Sequence, residues 1–388
     1  MSDRNRLLEM SRRRWLAVAA AGLAAPLPAA SGKPRVSVAR CPNYGAGLTA
    51  TLERMFEQLG GIDKLVAGKH VAIKIHMSNP LRDRMGYIPA WNTRWTHPEV
   101  IAAAVKLFSD AGASRIRILE SSSEDAHPLE ENFLIGGCDP QKILSAGRNV
   151  EMENTSSLGY GAEYRRLEVP GGGLIYPGFD VNHSYAECDV FVSLGKLLEH
   201  PVAGLCLSLA NLIGITPITI YGDAAGFEEP SEQPYGPRTR ILFEGRRQPP
   251  LTAPQEKDPN SPRDPGYRVP RIIVDLAAAR PVHLAILDGV ETQTASDTST
   301  LPPESKRQIR HVKPGVLVAG LNPVATDAIA ASIMGFDPLA ARGKPPFENC
   351  DSQLELAEQA GLGPRNPAQI EVLGESPAKV RFAFRQAG

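Results

Sequence analysis

The chain has no CxxC pair: its cysteines, Cys41, Cys138, Cys188, Cys206 and Cys350, lie far apart. Thiolate ligation of zinc or an iron-sulfur centre needs closely spaced cysteines, so no cysteine-ligated iron-sulfur cluster is expected. An excess of one charge is missing too. Against 42 Lys and Arg stand 43 Asp and Glu, and no basic block follows the first residues, which excludes the footprint of a nucleic-acid binder. There is no GxGxxG, no GxxxxGK followed by Ser or Thr, no GxSxG and no HExxH. Dinucleotide and P-loop phosphate sites, the hydrolase elbow and the zincin helix therefore have no support.

What the first residues carry instead is an address. Ser11-Arg12-Arg13-Arg14-Trp15-Leu16 precedes the apolar run 17–25 and the small residues Ala29, Ala30, Ser31 and Gly32. This order of positive, apolar and cleavable regions resembles a twin-arginine signal peptide over 1–32, with a general secretory signal as its rival. The apolar run falls far short of the roughly 20 residues of a spanning helix, so no stable membrane anchor is expected. Cys41 follows the charged Arg40, which disfavours a lipoprotein. The expected mature protein is periplasmic or extracellular, with the twin-arginine translocase as its partner during export. That route carries folded cargo, often with a cofactor already inserted, and so directs attention to a buried site. In an oxidising compartment the cysteines also allow one or two disulfides. Cys188 and Cys206, among apolar neighbours, read simply as core.

Residues 33–388 suffice for one large domain. Apolar, β-branched runs at 36–39, 71–75, 115–119, 190–194, 284–287 and 316–319 read as buried strands. Helical patterns lie at 49–59, 98–111 and 324–334, with Pro98 at a first helical position and Gly112 at a stop. The alternation predicts an α/β fold: a mostly parallel sheet with helices on both faces. Prolines and charges crowd about 227–271, which reads as an insertion acting as a lid, a surface excursion or a partner contact.

Ligands in open α/β sheets collect beyond the carboxyl ends of the strands. Polar residues stand at those places: Lys74 and His76, Glu120 with the serines 121–123, Lys196 and His200, Asp288, and Asn322 with Asp327. His97, just before Pro98, falls at a helix N-terminus, which favours a neutral imidazole. His76, His97, Glu120 and His200 form a candidate set of nitrogen and oxygen ligands for a divalent metal, with the cofactor itself unknown. His97, Lys196, His200 and Asp288 equally suit acid, base and oxyanion roles around an organic substrate. Each position also has a plain structural reading: a capping histidine, a turn at Asp288-Gly289, a helix-dipole partner in Asp327.

Thr96-His97-Pro98-Glu99, the segment 189–214 with Lys196, His200, Asn211 and Gly214, then Leu287-Asp288-Gly289, and residues 320–327 with Asn322 and Asp327 occur in an order that resembles the bacterial and archaeal family called domain of unknown function 362. The likeness runs from about Val36 to Gly374 and implies an architecture and suspect positions, with no reaction attached. It adds Asn211 to Lys74 and Asp327 as candidate cofactor-binding residues. Some members carry a ferredoxin-like segment that this chain lacks. The family pattern also favours lysines where this chain has Leu198 and Ala210, and an asparagine where it has His76. Those departures remove positive charge and add a ligand or base. Two readings follow: an exported enzyme with a histidine/carboxylate metal or small-cofactor site for redox or carbon-acid chemistry, or a protein that binds a small anion or a partner without turnover.

Overall fold

A computed structural model describes residues 32–78, 84–122, 127–294 and 309–385. Residues 1–31, where a signal peptide is expected, and Ser123 lie outside the described residues. The contacts gather Pro34–Gly388 into one compact unit. Its first strands are β1 (Arg35–Arg40), β2 (His70–Lys74), β3 (Arg115–Glu120) and β4 (Val150–Asn154). A hairpin of β5 (Arg165–Glu168) and β6 (Gly178–Val181) leads to β7 (Val190–Lys196) and the short pair β8 (Leu198–His200) and β9 (Gly204–Cys206). Then come β10 (Leu284–Gly289), the ladder of β11 (Thr292–Gln293) and β12 (His311–Val312), β13 (Val316–Gly320) and β14 (Glu371–Gly374).

Among the described residues, eight strands form one sheet in the order β14-β1-β13-β10-β7-β2-β3-β4. From β10 to β4 every pairing is parallel, and β1 pairs parallel with β14. Only β13 runs against its neighbours β1 and β10. It follows β10 through the β11/β12 ladder, with no helix described between them, and a parallel return would need a long crossover. The expected α/β fold is therefore present, as a mixed sheet.

Side chains alternate between the two faces of each strand. Val71, Ile73, Val190, Val192, Leu194, Leu284 and Ile286 share a core with the helices Leu48–Gln58 and Pro98–Asp110. Ala72, Phe191, Ala285 and Leu287 face the opposite core, with the helices Pro265–Ala279 and Pro323–Ile333. The helix ends are written locally. His97 caps Pro98–Asp110 by accepting the Glu99 N–H, and Gly112 takes φ +88° just past its end, a conformation that a β-carbon opposes. Asn322 caps Pro323–Ile333 through the Ala325 N–H.

The irregular stretch that composition extends to about 271 ends at Asp264. Asp264 and Pro265 are the N-cap and first residue of a helix, and Pro270 lies within it. Aspartate followed by proline suits a turn and a helix start alike, so composition alone placed this boundary too late. The stretch is anchored to the body by buried Ile241 and Leu242 and by a buried ion pair of Glu256 with Arg268 at 2.9 Å.

Leu194 is wholly buried on β7, between β10 and β2. Leu194→Ala should lower unfolding free energy by about 2–5 kcal/mol, read from urea denaturation. A loss within error would show that this strand is not part of the cooperative core.

Candidate functional site

From β2 the chain steps outward through β3 to β4, then returns to the other side of β2 with β7 and β10. The reversal between β2 and β7 is a topological switch point, where diverging connections leave a crevice beyond the carboxyl ends. Lys74 is the last residue of β2, Glu120 of β3 and Lys196 of β7, with Asp288 next to last on β10. All four are buried.

Alternation divides the lysines and Asp288: Lys74 continues the Ala72 face, whereas Lys196 continues the Val192 and Leu194 face and Asp288 the Ile286 face. Glu120 follows Ile116 and Ile118 in parity, but it ends its strand and its carboxylate turns to Lys74. Two polar clusters result, on opposite sides of one sheet.

In the first cluster, Lys74 Nζ pairs with Glu120 Oε1 at 2.8 Å and donates to the Ile75 carbonyl at 2.6 Å and to Asn211 Oδ1 at 3.0 Å. Its three N–H groups are thereby matched. Glu120 also accepts the backbone N–H groups of Met77 and Ser121. A β-carbon on Gly214 would lie 2.4 Å from Lys74 Nζ and 2.7 Å from Glu120 Oε1, so this backbone approaches the pair as only glycine can. Burial lowers the Lys74 pKa, opposed by Glu120. His76 Nδ1 stands 3.3 Å from Asn211 Oδ1, while Nε2 faces Ser78 Oγ at 3.0 Å and Cys206 Sγ at 3.9 Å. Burial, then the Lys74 charge, lowers the His76 pKa to about 3. Arg238 closes this side: Nε and Nη2 donate to Thr216 and Ser121 oxygens.

In the second cluster, Lys196 Nζ pairs with Asp288 Oδ2 at 2.8 Å and donates to the Trp91 carbonyl at 2.8 Å and to Tyr44 Oη at 3.3 Å. Asp288 also accepts the Tyr44 hydroxyl and the backbone N–H groups of His97 and Val290. The His97 ring stacks on Tyr44 with centroids 3.5 Å apart. Its pKa falls to about 4, with burial the largest cause and Asp288 opposing. The neutral imidazole expected from the helix N-terminus is present, but desolvation is its main cause. A groove of about 350 Å3 runs past Tyr44, Leu48, Glu99 and Lys106.

The proposed metal set of His76, His97, Glu120 and His200 is not assembled. Among the described residues no group of three histidine, cysteine, aspartate or glutamate side chains is placed to hold a metal ion. The sheet separates His97 from His76 and Glu120, the Glu120 oxygens serve Lys74 and two backbone N–H groups, and His97 Nδ1 accepts the Glu99 N–H. His200 ends β8, accepts the Val202 N–H through Nδ1 and lies edge-on to Phe243, close enough for its charge to weigh on His76. The helix N-termini at His97 and Asn322 are capped by their own side chains. No two of the five cysteines are joined in a disulfide in this structure.

Asp327 is part of neither cluster. Its carboxylate accepts the Ser208 N–H and hydroxyl and the Leu209 N–H, and thereby fixes the start of the segment that delivers Asn211. It acts on a neighbouring segment and does not merely complement its own helix. Tyr44, Ser78, Cys206 and Arg238 join the clusters without having been candidates. Tyr44 and Arg238 lie in loops with no strand-end signal, and Cys206 is apolar by its neighbours alone.

A model of the family described as Domain of unknown function (DUF362) matches residues 71–332. No curated protein matches. A crystal structure of a protein from Thermotoga maritima is similar at 15% identity and a TM-score of 0.27. The match spans 44% of this chain and 38% of that one, and a likeness this low carries no argument.

Burial raises the Asp327 pKa from 3.8 to about 7, against the pull of its three hydrogen bonds. The folded state then holds the proton more tightly than the unfolded chain. This contribution is complete below about pH 4 and is lost as pH rises through about 7. Asp327→Asn should flatten that decline, so the wild type should lose more stability than the variant between pH 5 and 8 in urea titrations; equal losses would refute this role.

Proposed function

The chain belongs to the domain of unknown function 362 family, and from that premise we propose that it is a twin-arginine-exported member, without a ferredoxin segment, that captures a small organic anion at the carboxyl ends of β2 and β7. The observation that carries this reading is Arg238. Its guanidinium is buried, and its hydrogen bonds among the described residues go to carbonyl and hydroxyl oxygens of Ser121 and Thr216, none to a carboxylate. Burial lowers the Arg238 pKa to about 10 and lowers that of Lys74, Glu120 opposes both shifts, and the Arg238 charge further lowers Lys74. A buried cation without a hydrogen-bonded counter-charge costs several kcal/mol. An anion entering here would meet a planar donor suited to carboxylate or phosphate.

Capture draws on no metal ligands, so it is independent of the set that the sheet divides. Of the two readings the sequence allows, the anion-binding one is favoured by the lysines as well. Each spends its N–H groups on protein oxygens, which suits a rigid electrostatic floor better than a mobile proton donor.

Thermal-shift titration of the processed, exported protein against small carboxylates and phosphates should raise the unfolding temperature, and Arg238→Lys should weaken the best ligand roughly tenfold or more. Unaltered affinity in that folded variant, or no shift with any anion, would refute the capture reading. Replacing Arg12 and Arg13 by lysine should retain the precursor in the cytoplasm, followed by cell fractionation. Undiminished export of that variant would favour the general secretory route.

A further inference from the structure

Asn211 is oriented by its neighbours. Its Nδ2 donates to the Lys74 carbonyl at 3.1 Å and to Ser193 Oγ at 3.1 Å, while Oδ1 accepts from Lys74 Nζ at 3.0 Å. An amide oxygen only accepts, so His76 Nδ1, 3.3 Å away, carries the ring proton. The lone pair is then on Nε2, the atom that faces Cys206 Sγ at 3.9 Å and Ser78 Oγ at 3.0 Å. This is the order of a nucleophile, a base and a group that orients the base.

We infer that Cys206 is a covalent nucleophile toward an activated acyl compound, an ester or thioester of a small acid, with His76 as its general base and Asn211 as the positioning residue. The inference rests on the capture reading for where the substrate sits. Two observations select the thiol over the hydroxyl. Cys206 lies close enough to Lys74 for the two to interact electrostatically, which sets a cation beside the sulfur. A thiol also gives up its proton far more readily than a serine hydroxyl, so it asks less of a base whose proton affinity burial has lowered. Burial pushes the Cys41 and Cys350 thiols up to about 11 and about 12.

The Cys206 S–H proton passes to His76 Nε2 as Sγ bonds the acyl carbon. The bond from that carbon to the leaving oxygen or sulfur breaks, and the leaving group takes the proton from His76. Water then gives a proton to Nε2 as its oxygen attacks the thioester. The carbon–sulfur bond breaks, Sγ recovers the proton and the free acid departs. Water is the only co-reactant.

The test uses the processed full chain with p-nitrophenyl acetate and its anionic counterpart mono-p-nitrophenyl succinate. Tandem mass spectrometry should find one acyl group on Cys206, and none there in Cys206→Ser. His76→Gln, checked for folding by circular dichroism, should slow acylation by roughly 10²–10⁴-fold. Asn211→Ala should also slow it and shift its pH profile, which a merely structural asparagine would not do. An adduct on Ser78 or on another cysteine overturns the assignment even if no variant folds, and so does undiminished acylation of His76→Gln. Anion-induced stabilisation with no adduct overturns the thiol and leaves capture standing. Equal acylation by both esters with no anion-induced stabilisation overturns capture and leaves the thiol standing.

Discussion

Two ammonium groups, on neighbouring strands and opposite faces of one sheet, set the terms for everything around them. Lys74 and Lys196 are each at most 1% exposed, and neither could remain charged in such a place without matched acceptors. Each finds one carboxylate, one backbone carbonyl and one further side-chain oxygen. Removing a single partner from a buried pair costs about 3–5 kcal/mol, so the loops that supply these acceptors are held to the strand ends. The clusters are therefore structural anchors and electrostatic sources together.

The histidines follow from that arrangement. His76 lies beside Lys74 and His97 near Lys196, and each is depressed first by burial and then modulated by the charges alongside. Neutral imidazoles suit ligation or proton acceptance in principle. Yet His97 is committed to its helix through Nδ1, and its other contacts are the stack on Tyr44 and the Asp288 charge. Of these two, His76 points a lone pair toward groups that can give up a proton. One sheet thus separates what a linear inspection of strand ends would pool into a single metal site.

Packing of the segment after β9 links fold to site. Asp327 holds Ser208 and Leu209, the Ser208 carbonyl accepts from Ser193 on β7, and the turn that follows places Asn211 over Lys74 and Gly214 against the Lys74–Glu120 pair. Arg238, from the proline-rich stretch, reaches back to Ser121 and Thr216. That stretch is therefore part of the wall of the first cluster.

The sequence by itself determined the six principal strands, the helices starting at Pro98 and Pro323, and the caps His97 and Asn322, because hydrophobic period and cap chemistry are local. It missed β4, whose run Val-Glu-Met-Glu-Asn is half polar, the short edge strand β14, and the helix that Asp264 and Pro265 begin inside a proline-rich stretch. It identified Lys74, Glu120, Lys196, Asp288 and Asn211 as positions of interest, since strand ends and short motifs are visible in one dimension. Only the tertiary structure decided which of them meet. Face parity, strand order and the approach of Gly214, Arg238 and Tyr44 are long-range facts, and they turned one list of polar residues into two buried clusters. Cys206 shows the limit most clearly: its neighbours in sequence make it core, and its neighbour across 130 positions, His76, gives it chemistry.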